Sequence, residues 1–411
     1  MPDALVSPLA PSAQQPLGPI AGVRLATAAC GIRYKDRTDL MVAVLDKGTA
    51  IAGVFTRSKA PGAPVVWCRR ILPHGQARAI VVNAGNANVF TGQAGTRAVE
   101  LTAGAASEAL GCRPLEIYVS STGVIGEILP AEKIVAALPA TIEAASETGW
   151  DAAARAILTT DTFVKTATRT ARIGGVPVTI NGFCKGSGMI APDMATMLAY
   201  VFTDAAVPAP VLQTLLTRGV DRSFNCTTVD GDTSTSDTVL LAATGKAGNA
   251  PPASAGDPAL RGFARALDDL LLDLAKQVVR DGEGASRLVE IRVTGAKSRR
   301  SARRIGLAVG NSPLVKTAIA AGDANWGRIV AAVGRAGEPV DRDALSVAIG
   351  GVTIAAEGAL VPGYDETPVA SHMAGREIVI EIDLGLGSVK ATVWTCDLTH
   401  RYIDINGSYR S

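Results

Sequence analysis

The sequence predicts a mixed α/β protein in which strands and helices alternate irregularly. Short apolar runs separated by turn residues occur along all 411 residues and are typical of strands. Other segments carry apolar residues every three or four positions, as amphipathic helices do. The composition, 47% hydrophobic and 19% charged with 43 glycines, is that of a compact, loop-rich globular protein. The missing βαβ rhythm argues against a Rossmann or TIM-barrel plan.

The first part of the chain predicts a tail followed by a sheet. Residues 1–22 contain several prolines and no Lys or Arg, so we expect a flexible tail rather than a signal or transit peptide. Residues 95–111 are expected to be helical, and "LEIYVSSTG" (115–123) predicts a strand ending in a turn with exposed N–H groups. Four runs between 38 and 90 are interpreted as strands, namely "LMVAVL", "AIAGVFT", "APVVWC" and "ARAIVVNAG".

The middle of the chain leads to one unusual loop. Two Ala-rich helices are expected at 131–146 and 150–158, followed by "TTDT" (159–162), a cluster suited to a turn. Two strand-like runs then flank a Gly-Gly turn. They lead into "KGSGMIAPDMATMLAYVFTDA" (185–205), in which Thr196 stands where an apolar strand begins.

The last part of the chain predicts further helices and strands. Helices are expected at 208–223, at 259–280 and through "SPLVKTAIAAGD". The helix at 259–280 ends at "RDGEGAS", which carries Glu283. Strands are predicted at "RLVEIRVTG" and "EIVIEIDLG".

Charge and cysteine usage narrow the class of partner. Lys and Arg total 40 against 38 acidic residues, so neither nucleic acid nor an anionic membrane is an expected partner. Apolar runs end well before the roughly 20 residues that span a bilayer. The six cysteines lack a C-x-x-C pair, so neither a zinc site nor a disulfide framework is predicted. We expect buried thiols, a cytoplasmic protein and small-molecule substrates.

Few familiar catalytic motifs are present. The chain has three histidines, none within H-E-x-x-H, and it lacks G-x-S-x-G, a Walker loop and G-x-G-x-x-G. "DGDTSTSDT" (230–238) holds three aspartates, but it lacks the spacing and terminal Glu of an EF-hand. Turn and cap hydrogen bonding is the favoured interpretation of that segment, and no metal site is predicted.

Two interpretations of Thr196 follow from the residues alone. A β-branched threonine is common in strands. Alternatively, a break between Ala195 and Thr196 would free an α-amine with a pKa of about 8, which could act as the base for the threonine hydroxyl. That arrangement needs no histidine.

Motifs along the chain favour the second interpretation. The segment 185–205 resembles the signature of the ornithine acetyltransferase family, also called glutamate N-acetyltransferase, of arginine biosynthesis. Further blocks similar to that family, in family order, are "GVFTRSKAPGAPV", "VVNAGNANVFTG", "SSTGVIGEILP", "TTDT", "SFNCTTVDGDTSTSDT", "NSPLVKTAIAAGDANWGRI" and "WTCDLTHRYIDINGSYRS".

The resemblance implies self-cleavage between Ala195 and Thr196 into an α chain (1–195) and a β chain (196–411). It implies an α/β fold shared with β-peptidyl aminopeptidases, with self-cleavage into two chains that assemble as an α2β2 heterotetramer. It also implies acetyl transfer from N2-acetyl-L-ornithine to L-glutamate through acetyl-Thr196. No cofactor is implied, although acetyl-CoA is a second donor in some members.

The resemblance assigns roles to particular residues. Thr196 is the implied nucleophile, with Thr122 and Gly123 as the oxyanion hole. Ser411 replaces the threonine expected at the last family contact but retains a hydroxyl. The implied substrate contacts are one of Thr159 and Thr160, together with Lys185, Thr196, Glu283, Asn406 and Ser411.

Two other functions compete with the transferase. A hydrolase on the same scaffold would pass the acyl group to water. An uncleaved precursor would only bind amino acids.

Overall fold

The protein is described here by a computed structural model that covers residues 6–33, 37–191 and 197–407. Within these ranges lie fifteen strands and eleven α-helices. The strands are β1 (Val23–Ala28), β2 (Leu40–Leu45), β3 (Ala50–Phe55), β4 (Ala79–Asn86), β5 (Ile117–Val124), β6 (Lys165–Ile173), β7 (Val176–Lys185), β8 (Leu198–Thr203), β9 (Thr238–Ala243), β10 (Leu288–Ala296), β11 (Ser346–Ile349), β12 (Val352–Ala356), β13 (Ala359–Leu360), β14 (Glu377–Asp383) and β15 (Val389–Cys396). The helices are α1 (Ala63–Ile71), α2 (Gly92–Leu110), α3 (Ala131–Glu143), α4 (Trp150–Ala156), α5 (Ala209–Val220), α6 (Arg261–Arg280), α7 (Arg299–Gly310), α8 (Pro313–Ala321), α9 (Trp326–Gly334), α10 (Thr367–Met373) and α11 (His400–Asn406).

The strands form three sheets, which we call A, B and C. Sheet A has the order β1-β2-β4-β5, and sheet B has the order β3-β9-β8-β7-β6. Sheet C has the order β13-β12-β11-β14-β10-β15. Both A and B mix parallel and antiparallel neighbours, since β4 runs parallel to β5 and β8 parallel to β9 while their other pairs are antiparallel. The prediction of a mixed α/β fold without a regular βαβ order is confirmed.

Sheet B separates two hydrophobic cores. Along β8, Tyr200 and Phe202 pack into a core shared with sheet A and α1–α4, whereas Ala199 and Val201 pack into a second core shared with α5 and α6. Successive side chains of a strand point to opposite faces, so an entirely apolar strand can serve both cores. Sheet C forms a third core with α7–α10.

One predicted strand is wrong. "APVVWC" lies at the start of α1, because Pro64 occupies its first turn, where the absent N–H is not needed. Val65, Cys68 and Ile71 are buried at intervals of three, while Val66 is 54% exposed. A run of six apolar residues did not reveal this helical spacing.

The other helices and strands that the sequence predicted are present within a few residues of their expected bounds. α7 was not predicted, because the arginines between its buried residues obscure the helical spacing of apolar positions. Those buried positions include Ala302, Ile305 and Val309.

Residues 6–22 carry no helix or strand but lie against the protein body. Leu9 and Ile20 are buried. Gly18 accepts a hydrogen bond from the side-chain amide of Asn181 at 2.7 Å, and the Ser7 hydroxyl donates to the carbonyl of Arg280 at 2.6 Å. The composition of the predicted tail did not indicate these contacts.

All six cysteines are free thiols. Four are buried as expected, but Cys30 and Cys112 are partly exposed, which corrects the prediction for those two. Among the helices of the described ranges, none combines the length and the apolar character needed to cross a membrane.

Candidate active site

A cavity of about 240 Å³ opens where the last residues of β5 and β7 meet. Its walls come from the ends of these strands, from several loops and from the residues after α6 and at the end of α11. The lining residues are Ala87, Thr122, Gly123, Val124, Ile125, Thr159, Thr160, Lys185, Gly188, Met189, Ser234, Thr235, Ser236, Glu283 and Asn406. All the site residues predicted from the sequence within the described ranges therefore lie around one cavity. Ala195, Thr196 and Ser411 lie outside the described residues.

Thr122 and Gly123 are placed by an irregular pairing of β4 with β5. The parallel register shifts at Gly85 and Asn86. Gly123 has a φ of +130°, and a Cβ there would lie 2.3 Å from the backbone carbon of Gly85. Only glycine fits this close approach of two backbones. β5 continues through Gly123 to Val124, so the sharp turn predicted at residue 123 is instead an irregular register within the strand.

Lys185 connects two threonines of the cavity. It ends β7, is 3% exposed, and its Nζ donates to Thr159 Oγ1 at 2.7 Å and to Thr122 Oγ1 at 3.2 Å. Burial lowers the pKa of Lys185, although the nearby carboxylate of Asp161 acts in the opposite direction. Since an ammonium group only donates, each threonine oxygen accepts here and keeps its own hydrogen for another acceptor.

A buried ion network lies behind Lys185. The Nζ of Lys165 contacts Asp161 Oδ1 at 2.6 Å and Asp281 Oδ2 at 2.5 Å, and all three side chains are fully buried. Asp161 also accepts the N–H of Gly186 at 2.7 Å and that of Thr159 at 3.1 Å. Burial raises the pKa of Asp161, but the two neighbouring lysines outweigh it and leave that pKa below its usual range. Asp161 of the predicted "TTDT" turn therefore fixes the backbone at Thr159 and at Gly186, the residue after Lys185.

Glu283 forms another part of the wall. It is 8% exposed, and its Oε2 accepts a hydrogen bond from Asn406 Nδ2 at 2.7 Å. Gly188 packs directly on the carboxyl, because a Cβ there would lie 2.4 Å from it. Burial raises the pKa of Glu283, while Asn406 and the hydroxyl of Thr160 lower it in part.

Thr159 and Thr160 face different partners. Thr159 meets Lys185, and the Thr160 hydroxyl lies beside Glu283. Both line the cavity, so the sequence-based choice between them as a substrate contact stays open.

Sequence reasoning missed several residues that shape the site. Asp161, Lys165 and Asp281 are buried ions that no pattern singled out. Ser234 and Ser236 lie within "DGDTSTSDT". Asp230 accepts the N–H of Asp232, as a turn residue does, but Asp230 and Asp237 also accept backbone N–H groups about 40 positions away in the chain. In the described parts of the chain, no group of three or more metal-ligating side chains occurs.

A buried amine, of Lys185, and a buried carboxyl, of Glu283, line the same cavity together with several hydroxyl groups. Such a site suits a small amino-acid derivative, which carries both charges. The family model described as ArgJ family matches residues 24–411. The chain belongs to the ArgJ family.

The chain is also similar to individual relatives and solved structures. The arginine biosynthesis bifunctional protein ArgJ of Gluconobacter oxydans is 61% identical over 406 residues, covering 99% of this chain and 96% of the relative. The crystal structure of the same-named protein from Bacillus halodurans is 38% identical, covers 50% of this chain and 96% of its own, and has a TM-score of 0.48. The Mycobacterium tuberculosis ornithine acetyltransferase complexed with ornithine is 35% identical, covers 42% and 92%, and has a TM-score of 0.38.

Proposed function

We propose that this chain is a self-processing acetyltransferase that moves the acetyl group from N2-acetyl-L-ornithine to L-glutamate. As a member of the ArgJ family it is an enzyme of arginine biosynthesis. The observation that carries the proposal is the cavity that Thr122, Lys185 and Glu283 line together with Gly188 and Met189 of the loop after β7.

Self-cleavage creates the nucleophile. The bond between Ala195 and Thr196 breaks, giving an α chain (1–195) and a β chain (196–411). The freed α-amine then removes the proton of the Thr196 hydroxyl when that oxygen attacks an acyl group.

Transfer proceeds in two steps. The Thr196 hydroxyl oxygen attacks the acetyl carbonyl of acetylornithine, the amide bond breaks, and ornithine leaves with the proton. The amine of glutamate then attacks the acetyl ester, forming N-acetylglutamate and restoring the hydroxyl.

Thr122 and Gly123 stabilise the negative oxygen of each tetrahedral intermediate. The Thr122 oxygen accepts from Lys185, so its own hydrogen is free to donate to that oxygen. A backbone N–H at Gly123 supplies the second donor. One such donor is worth about 3 kcal/mol of barrier.

Substrate recognition uses the two buried charges. Lys185 pairs with a substrate carboxylate, Glu283 with an ammonium group, and Asn406 holds the Glu283 carboxyl while offering a carbonyl oxygen. Thr159, Thr160 and the terminal Ser411 complete the contacts. The chain needs no cofactor in this scheme and works in the cytoplasm as an α2β2 assembly.

The first experiment tests cleavage and transfer together. On a denaturing gel the purified wild-type chain should give two bands of similar size, and Thr196→Ala should give one. With acetylornithine and glutamate the wild type should form N-acetylglutamate, whereas acetate released without dependence on glutamate would identify a hydrolase. A single full-length band from the wild type would leave the uncleaved binding protein as the answer.

A second assay addresses the other donor. Acetyl-CoA in place of acetylornithine yields N-acetylglutamate if the chain opens the pathway as well as recycling the acetyl group.

A further inference from the structure

Self-cleavage needs a base other than the α-amine of Thr196, which serves only the mature enzyme. Before the bond to Ala195 breaks, the nitrogen of Thr196 is an amide and cannot accept a proton. Histidine is absent from the described residues that line the cavity. Another group near the start of β8 must therefore take the hydroxyl proton in the precursor.

Asp237 lies at that point. It precedes β9, the parallel neighbour of β8, and is fully buried. Its Oδ1 accepts the N–H of Met197 at 3.0 Å. Met197 directly follows Thr196 in the sequence, so Asp237 binds the first backbone N–H after the proposed nucleophile.

The second oxygen of Asp237 differs from the first. Among the described residues, none makes a hydrogen bond with its Oδ2, and that atom is buried. The hydroxyls of Thr56 and Ser234 lie near the carboxyl, and the Thr56 hydroxyl donates to the Ser234 carbonyl at 2.5 Å. A buried carboxyl oxygen without a donor is costly, so it calls for an explanation.

A second carboxylate holds the other end of the same segment. Asp230 accepts the N–H groups of Met189 and Ile190 at 2.6 Å and 2.9 Å. The stretch "DGDTSTSD" (230–237) thus binds the backbone before and after the predicted cleavage site. Asp230 uses both oxygens for this purpose, whereas Asp237 uses one.

We propose that Asp237 is the general base of self-cleavage, an inference that rests on the self-cleavage proposed above. Its carboxylate takes the proton of the Thr196 hydroxyl, and the hydroxyl oxygen bonds to the Ala195 carbonyl carbon. The bond from that carbon to the Thr196 nitrogen breaks, and the proton passes to the departing amine. Water then hydrolyses the ester, leaving a carboxylate on Ala195 and a free hydroxyl on Thr196.

The surroundings suit this role. Burial raises the pKa of Asp237 well above its ordinary value, while the Met197 N–H and the charge of Lys185 lower it in part. A carboxylate with a raised pKa is a stronger base.

The test follows newly translated chains over time on denaturing gels. Asp237→Asn keeps the shape and an oxygen for the Met197 N–H but cannot take a proton. It should slow cleavage by about 100-fold or more. Asp232→Asn makes the same chemical change at an exposed position of the same loop and should cleave at the wild-type rate.

Lys185 is the rival base, because burial lowers its pKa and it pairs in register with Leu198 of β8. Asp237 is supported as the base if Asp237→Asn cleaves slowly and Lys185→Met cleaves faster than Asp237→Asn does. Normal cleavage of Asp237→Asn, or slow cleavage of Lys185→Met alone, overturns the proposal.

If Asp237→Asn does not fold, the pH dependence of cleavage in the wild-type chain tests the proposal instead. The cleavage rate of the wild-type chain should rise with pH through a single transition above the ordinary carboxyl range of about pH 4. A flat profile from about pH 5 to about pH 9 overturns the proposal. A wild-type chain that never cleaves at all contradicts the proposed function instead.

Discussion

Individual hydrogen bonds decide which groups of the cavity remain available for chemistry. Lys185 donates a hydrogen bond to the hydroxyl oxygens of Thr122 and Thr159. Asn406 donates to one carboxyl oxygen of Glu283. The residue types at these positions could be predicted from the sequence by resemblance. Their partners could not, because Asp161 and Lys165 are paired ions whose contacts come from strand and turn positions that only the fold brings together.

Thr122→Val tests the oxyanion role at the scale of one hydroxyl. Valine has the same shape but cannot donate, so kcat of the cleaved enzyme should fall by about 100-fold with little change in KM. Thr122→Ser keeps the hydroxyl and serves as the control. A valine variant with kcat within about twofold of the wild type would exclude this hydroxyl from transition-state stabilisation.

Glu283→Gln should stabilise the protein at neutral pH while weakening substrate binding. Burial raises the folded-state pKa of Glu283, so the unfolded chain releases this proton first, near pH 4.3. Stability from this group is therefore fully present below about pH 4.3 and declines as pH rises towards the folded pKa. Glutamine does not ionise and avoids that decline.

Urea unfolding at acidic and neutral pH would measure this effect, with the exposed Glu147→Gln as control. KM for the amino substrate should rise about tenfold or more, because a hydrogen bond to a charged group is worth about 1.5–3 kcal/mol. A Glu283→Gln protein that is less stable than the wild type at neutral pH would contradict the sign of this argument.

At the scale of elements, the sequence predicted strand and helix positions well where turn residues or helical spacing were clear. It failed at α1, because a run of six apolar residues fits either state and only the buried spacing of Val65, Cys68 and Ile71 distinguishes them. The irregular pairing of β4 with β5, which we call the bulge, could not be predicted from the sequence pattern either. It depends on two backbone segments that are distant in sequence.

That bulge gives a prediction for one glycine. Gly123→Ala should destabilise the protein by about 1–3 kcal/mol or more and abolish cleavage, because the added Cβ meets the backbone of Gly85. Gly126→Ala is a matched control: Gly126 also has a positive φ, of +87°, but no described atom lies within 4 Å of an added Cβ. Thermal unfolding and the gel assay measure both effects. Equal losses in the two variants would assign the effect to φ alone and not to the close approach.

At the scale of the whole molecule, the proposed cleavage divides sheet B between the two chains. The α chain supplies β3, β6 and β7, and the β chain supplies β8 and β9. In the sheet order, β8 and β9 lie between β3 and β7, so every strand of the β chain in this sheet is bonded to a strand of the α chain. The cores on both faces of sheet B also contain residues of both chains.

The two chains should therefore stay together after cleavage. Separation would expose both buried faces of sheet B and leave four strand edges unpaired, on β3, β7, β8 and β9. That amounts to unfolding the protein rather than separating two folded units. Size-exclusion chromatography in buffer should give one peak, and a denaturing gel of that peak should show both chains in equal amounts. The uncleaved Thr196→Ala protein is the control, and it should elute at the wild-type position in buffer. Separate α and β peaks in native buffer would contradict the shared sheet, because neither fragment holds a complete sheet B by itself.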